Sequence, residues 1–337
     1  GDMKTLQRLL QYMRPHRRAA VLTFIALMAV TILNLVIPWI VKQVIDVGLV
    51  RGEHAYLIQA AFLIAGISAL RSLFSVGQRY GMERVGQLIS FDVRNALYDH
   101  IQRLSFTYHA HAQTGQLMSR MAEDVNAVQR FLGVGLLDAL SAVIMLVIII
   151  GILVSINLRL ALLTLLPMPF LAVLVVYLAQ VMRPRWRRVQ QAFAQVSTVL
   201  QENLTGVQVV RAFAREPYEM EKFDTANRDY MRERLRTVRF WGMSSPVLGF
   251  LVACGTALAF AFGGPMVIRG ELTLGVLVAI NSYVVMLSGP VQRLGNTINM
   301  AAEAAASGDR IFEVLHAPRD IQDKPGAIEL PTVEGCV

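Results

Sequence analysis

Long apolar runs alternate along this chain with long stretches in which apolar residues return only every third or fourth position. Six runs stand out: Ala19–Val41, Tyr56–Val76, Leu132–Ile156, Leu158–Met182, Met243–Ile268 and Leu272–Val291. Each approaches the roughly 20 residues that cross about 30 Å of hydrocarbon. The second and sixth contain more polar residues than the others. Backbone N–H and C=O groups in lipid must be bonded within their own segment, so the runs are predicted to be helices. The expected fold is an all-α membrane protein with six transmembrane helices, its membrane domain spanning residues 16–317.

The stretches between runs predict helices that continue past the bilayer. Val85, Leu88, Ile89, Val93, Leu97, Ile101 and Leu104 keep helical spacing after the second run. A helix from Tyr56 to Ser105 would be about 75 Å long at 1.5 Å per residue, about 45 Å more than the bilayer needs. Arg187–Phe240 is a second polar helical stretch with Pro217 as its internal proline, and the sixth run continues through Asn296, Ala301 and Ile311 to Leu315. Two projecting hairpins and one exit helix result. At the first tip Thr114-Gly115 is predicted to turn and open a short helix capped by Thr114, with Leu117, Met121 and Val125 on one face. At the second, Val207, Val210 and Phe213-Ala214 share a face and Glu216-Pro217 forms a stop. Residues 3–15 are predicted to form an interfacial helix, with Leu6, Leu9, Leu10 and Met13 on one face, before Pro15 interrupts it. Gly1-Asp2, ahead of Met3, reads as a cloning remnant.

Composition agrees with this pattern. The chain is 55% hydrophobic and 17% charged, against about 25% charge in soluble domains. Net charge is +8, unevenly placed. The short loops Asp46–His54, Asn157–Arg159 and Arg269–Glu271 sum to zero, whereas the arm to Arg18 carries +4 and Arg183–Arg239 carries +5. Positive charge marks the cytoplasmic side, so both termini are expected there. The basic excess reads as membrane topology near anionic lipid and not as a nucleic-acid surface.

Candidate chemistry is sparse. Span six carries a polar stripe, Asn281, Ser288, Gln292, Asn296, Asn299 and Glu303, and span two carries Ser68, Arg71, Ser75 and Gln78. Both keep to one helical face. Such residues face a wet cavity or a partner, or serve as hydrogen-bonding glue between helices. We expect them to line a central substrate cavity. Asp138 is a candidate partner for Arg71, as is an anionic headgroup. Asn34 with Pro38, and Pro167 with Pro169, read as kinks and local polar satisfaction, and Gly77 with Gly81 permits close helix approach. His109 and His111 lack partners at metal spacing and read as solvated. Cys254 and Cys336 indicate no disulfide framework. The sequence has no G-x-x-x-x-G-K-(S/T) phosphate loop.

The ordered motifs resemble those of one family. Thr114-Gly115-Gln116-Leu117-Met118-Ser119-Arg120-Met121-Ala122-Glu123-Asp124-Val125 resembles a TG-x-L-x-SR-x-x-x-DV pattern. Glu202 to Glu216 resembles an E-x-L-x-G-x-x-x-V-(K/R)-x-F-x-x-E pattern, and Gly270–Gly275 resembles a tight outer turn. Tyr283, Pro290 and Ala304–Phe312 resemble the family's sixth helix and its exit. Over about Leu6 to Leu315 the chain resembles the transmembrane domain of an ATP-binding-cassette exporter of the type IV fold. The resemblance implies a domain-swapped dimer with a second half-transporter, the same or different, and a hydrophobic or amphipathic small-molecule or lipid substrate. It implies coupling to nucleotide-binding domains through Thr114, Gly115, Leu117, Ser119, Arg120 and Asp124 at the first tip. At the second tip it implies Gly206, Val210, Phe213, Arg215 and Glu216. ATP and Mg would sit on the missing nucleotide-binding domain, with no cofactor on this chain, which alone should not hydrolyse ATP. Residues 318–337 resemble a linker into that domain. The setting implied is the cell (inner) membrane. Two other readings share some of these features: an ABC-like scaffold acting as a regulator or gated pore, and a secondary transporter, against which the long hairpins count.

Overall fold

The computed structural model describes residues 2–105, 107–108 and 114–318. Among them the chain forms α1 (Asp2–Gln11), α2 (Arg17–Leu49), α3 (His54–Gln102), α4 (Thr114–Ile156), α5 (Leu158–Thr205), α6 (Val207–Ala212), α7 (Glu216–Ile268) and α8 (Leu274–Leu315). Six of these, α2–α5, α7 and α8, are long and apolar enough to cross a membrane. His109, His111, Cys336 and nearly all of 318–337 lie outside the described residues.

Local chemistry sets the helix limits. Asn157 caps α5 by accepting from the Leu160 N–H at 3.0 Å. α5 is interrupted at Leu166, directly before Pro167, which cannot donate to the preceding turn. The Glu216-Pro217 pair, expected as a stop, begins α7, because the missing proline N–H costs nothing in a first turn. The expected turn and short helix at Thr114-Gly115 is instead the first turn of the 43-residue α4. Two wider π-type turns, Arg120–Asp124 and Phe131–Gly135, adjust its register. Asp46, expected in an outer loop, lies in a final π-type turn of α2, Val44–Leu49.

The chain divides into two compact units. One comprises Gly1–Ala26, Val76–Leu137 and Met300–Val337; the other comprises Leu27–Ser75 and Asp138–Asn299. In the first, the periodic residues Val85, Ile89, Val93 and Leu97 of α3 pack with Val125, Val128 and Leu132 of α4, Ala304, Ile311 and Val314 of α8, and Leu9 of α1. α3 and α4 touch backbone to backbone: a Cβ on Gly133 would stand 2.8 Å from Gly86 Cα and 2.9 Å from Met82 O. Gly81 abuts Thr23, whereas a Cβ on Gly77 would meet open space within this chain, so only Gly81 of that pair serves a close approach here. The apolar face of α1 is largely taken up by protein: Leu9 is fully buried, Leu6 and Met13 are partly so, and Leu10 stays exposed.

In the second unit, Leu35, Met145, Ile149, Leu153, Leu160, Ala259, Ile280 and Tyr283 form the core. Tyr283 donates its hydroxyl to Leu35 O at 2.8 Å, which removes the cost of an unbonded phenol in an apolar interior. At the other end, Asp46 accepts from Thr273 Oγ1 at 2.6 Å and from the Gly275 N–H at 2.9 Å. Thr273 caps α8 through the Val276 N–H at 3.2 Å. Gly270 takes φ +74°, the left-handed conformation that lets the chain turn within the five residues between α7 and α8.

Candidate functional site

α5, α7 and α8 enclose a cleft of about 630 Å³ in the second unit. Its apolar wall includes Leu178, Met182 and Leu248, and Gln292, Asn296 and Asn299 present amides from α8. Arg183, Trp186 and Trp241 supply a cation and two indoles at the same cleft. Arg183 Nη2 donates to Asn299 O at 3.2 Å. The Arg234 guanidinium lies 4.7 Å from the centre of the Trp186 ring, and Arg185 lies 4.1 Å from that of Phe240, both within reach of the attraction between cation and aromatic face. The site therefore offers apolar surface, hydrogen-bonding amides and positive charge together. That combination suits an amphipathic molecule with a polar or acidic end.

The expected cavity residues separate. Gln292, Asn296 and Asn299 line the cleft. Ser288 instead satisfies its hydroxyl on Val285 O at 2.8 Å, and Asn281 Oδ1 is buried without a partner. Ser68, Arg71 and Ser75 form a half-buried face of α3, on which Arg71 donates to Asn34 Oδ1 at 2.7 Å. These residues are not among those lining this cleft; the Asn34 amide of α2 satisfies part of a guanidinium that is costly to leave unpaired in a span. Gln78, also half-buried, reaches Met82 Sδ at 4.0 Å. Asp138 does not neutralise Arg71; the charge acting on it is Arg293 of α8. Sequence reading missed Arg183, Trp186 and Trp241 as lining residues. The interfacial preference of tryptophan beside a basic cluster was the available signal.

The second tip is built for exposure. Gly206 and Phe213 leave helical geometry at either end of α6, and Ala214 adopts φ +47°. Lys222 Nζ pairs with Glu202 at 2.7 Å and Asn203 donates to Glu219 at 2.8 Å, tying the stems of α5 and α7 together. The Glu202 hydrogen bond holds the Lys222 ammonium above its ordinary range. Phe213 is 73% exposed, a poor position for a phenyl ring unless something covers it. Val210 is half-buried, and Arg215 and Glu216 are exposed.

At the first tip, Thr114, Gly115 and Ser119 are exposed and Leu117 packs on the first unit's core. Arg120 and Asp124 are engaged within the first unit. Asp124 is 5% exposed and both its oxygens accept from Arg310 of α8, with Nε at 2.9 Å. Arg120 pairs with Glu313 at 3.0 Å. A buried carboxylate must be matched by charge and hydrogen bonds from its own protein, so Asp124 is turned inward.

The family model for the ABC transporter transmembrane region matches residues 20–291. The chain belongs to this family. As an ABC transmembrane region it is 30% identical over 335 residues to the uncharacterized ABC transporter ATP-binding protein YknU of Bacillus subtilis (strain 168), covering 99% of this chain and 57% of that protein. It is 29% identical over 331 residues to the ATP-dependent lipid A-core flippase of Syntrophus aciditrophicus (strain SB), covering 98% and 55%. It is 27% identical over 342 residues to the putative multidrug export ATP-binding/permease protein YgaD of B. subtilis (strain 168), covering 99% and 59%. This ABC transmembrane region thus spans just over half the length of the curated relatives it matches.

Proposed function

We propose that this chain is the translocation domain of an ATP-driven exporter of the cell (inner) membrane, with both termini cytoplasmic and a second half-transporter completing the pathway. The family match over residues 20–291 carries this reading. The exposed α6 tip and the end of α4 at Thr114 are its docking elements for nucleotide-binding domains, which would hold ATP and Mg. Phe213 is the anchor of the second tip. ATP drives the cycle because it binds the closed arrangement of those domains better than the open one, and a ligand shifts an equilibrium only by such a difference. The α5–α7–α8 cleft receives a hydrophobic or amphipathic cargo, its acidic end at Arg183 and its apolar part against Leu178, Met182 and Leu248. Relatives named as a lipid A-core flippase and a putative multidrug exporter favour cargo of this kind.

The test is transbilayer movement. Full-length protein that includes its nucleotide-binding domain is reconstituted in vesicles with a fluorescent anionic phospholipid, and with a neutral apolar dye in parallel. ATP-dependent movement of either is expected, faster for the anionic lipid. Movement of neither, from protein that hydrolyses ATP, would turn the reading toward a regulator or gated pore on the same scaffold.

A further inference from the structure

The cytoplasmic end of α8 is gripped from two sides within the first unit. Arg310 holds Asp124 of α4 through Nε and Nη2 and also donates from Nη2 to Ser307 Oγ at 3.1 Å. Arg120 reaches Glu313 at 3.0 Å, and farther along Arg130 reaches Glu303 at 2.8 Å. From one pair to the next the α4 number rises as the α8 number falls, so the three pairs are rungs between antiparallel helices. α1 makes the other contacts. Thr5, 6% exposed, donates to Asp309. A Cβ on Gly308 would lie 2.8 Å from Thr5 Cγ2 and 2.9 Å from Leu9 Cδ1. The Arg8 guanidinium lies 5.9 Å from the centre of the Phe312 ring. At about 100° per residue, Ser307, Arg310 and Glu313 occupy one side of α8, and Gly308, Asp309 and Phe312 face nearly the opposite way.

We propose that Asp124, Arg310, Gly308 and Thr5 are positioning residues. They close a collar of α4 and α1 around residues 307–313, so that the end of α8 and the tip that begins α4 move as one body. Asp124 is buried whereas the Arg310 side chain is half exposed; such a pair is poor evidence for stability, and the attested use of a buried charge is to fix register. A guanidinium fork on a carboxylate accepts one relative position. A slip of about one turn would set Glu313 against Asp124, like charge on like. On the α1 side, the absent Cβ of Gly308 admits Thr5 and Leu9 to the helix surface. The consequence for coupling rests on the translocation reading, whereas the collar itself does not.

The experiment uses the full-length protein in lipid nanodiscs without nucleotide or cargo, so its outcome is independent of transport. Cys254 and Cys336 are replaced by serine. Spin labels are placed at Met118→Cys on α4 and Ala302→Cys on α8, both exposed positions. Asp124→Arg and Arg310→Asp, each alone, should shift the label separation by about 5 Å, one helical turn, or broaden it by as much. The double exchange should restore the starting distribution. A merely stabilising pair would lower the melting temperature without moving register. Unchanged distances in both single variants, or a double variant as disordered as the singles, would overturn the inner half of the collar. Gly308→Ala, which keeps the ion pairs, tests the outer half: amide exchange in residues 300–315 should rise at least tenfold, and an unchanged rate would overturn it.

Discussion

Tyr283 carries a hydroxyl into an apolar core, and its bond to Leu35 O explains how. Tyr283→Phe removes one hydrogen bond with little change in shape. It should cost about 1 kcal/mol, read as a lower melting temperature of the purified chain. At the cleft, Trp186 gives an indole face and Arg234 lies over that ring. Trp186→Ala should weaken binding of an anionic amphiphile about tenfold, an effect of about 1.4 kcal/mol, measured by titration of a fluorescent lipid analogue. An equal loss for a neutral apolar dye would assign Trp186 to apolar contact alone. At this scale the sequence was only partly legible. Gln292, Asn296 and Asn299 stood out because a polar stripe in a span is conspicuous, and they line the cleft. Arg183 was masked by its role as a topology marker, and the bond between Arg71 and Asn34 was hidden because the two are far apart in sequence yet bonded in space.

The helices themselves were the most legible part. Apolar spacing placed the long α3 within a few residues of its ends, because one buried face repeats along its C-terminal half. The start of α4 was misread, since a threonine and a glycine suit a turn as well as a first helical turn, and only tertiary packing selects between them. The π-type turns left no local signal, as they answer to the fit of α4 against its neighbours. At the second tip, Phe213→Ala in full-length protein should leave ATP hydrolysis running while ATP-dependent cargo movement falls at least tenfold, checked by measuring both in the same vesicles. Lys222 gives a pH prediction. Its folded value is raised above 10.5 by Glu202, so the link it makes is complete below the unfolded value and lost only as pH climbs through the higher folded one. Intrinsically corrected amide exchange of residues 203–218 should therefore be flat between about pH 6 and 9. Lys222→Gln should speed it at every pH in that range.

For the whole molecule, six spans and the excess of positive charge over Arg183–Arg239 were legible, because hydrocarbon thickness and leaflet charge act on composition directly. Which helices of two chains cross was not, since that depends on surfaces this chain leaves uncovered. Only 6% of the apolar window of α3 and 22% of that of α7 are buried within the chain. The proposed pairing predicts that full-length protein in nanodiscs has the mass of two chains, measured by native mass spectrometry. A one-chain mass in protein that moves cargo would require the pathway to lie inside a single chain.

α3 is 49 residues long and contains no proline, so it is about 74 Å of stiff rod at 1.5 Å per residue. A rod of that kind answers a push at one end by leaning. A lean of about 10° carries one end about 13 Å relative to the other at that length, with every backbone bond along it intact. In a helix of that length a small angle becomes a displacement wider than a helix is thick.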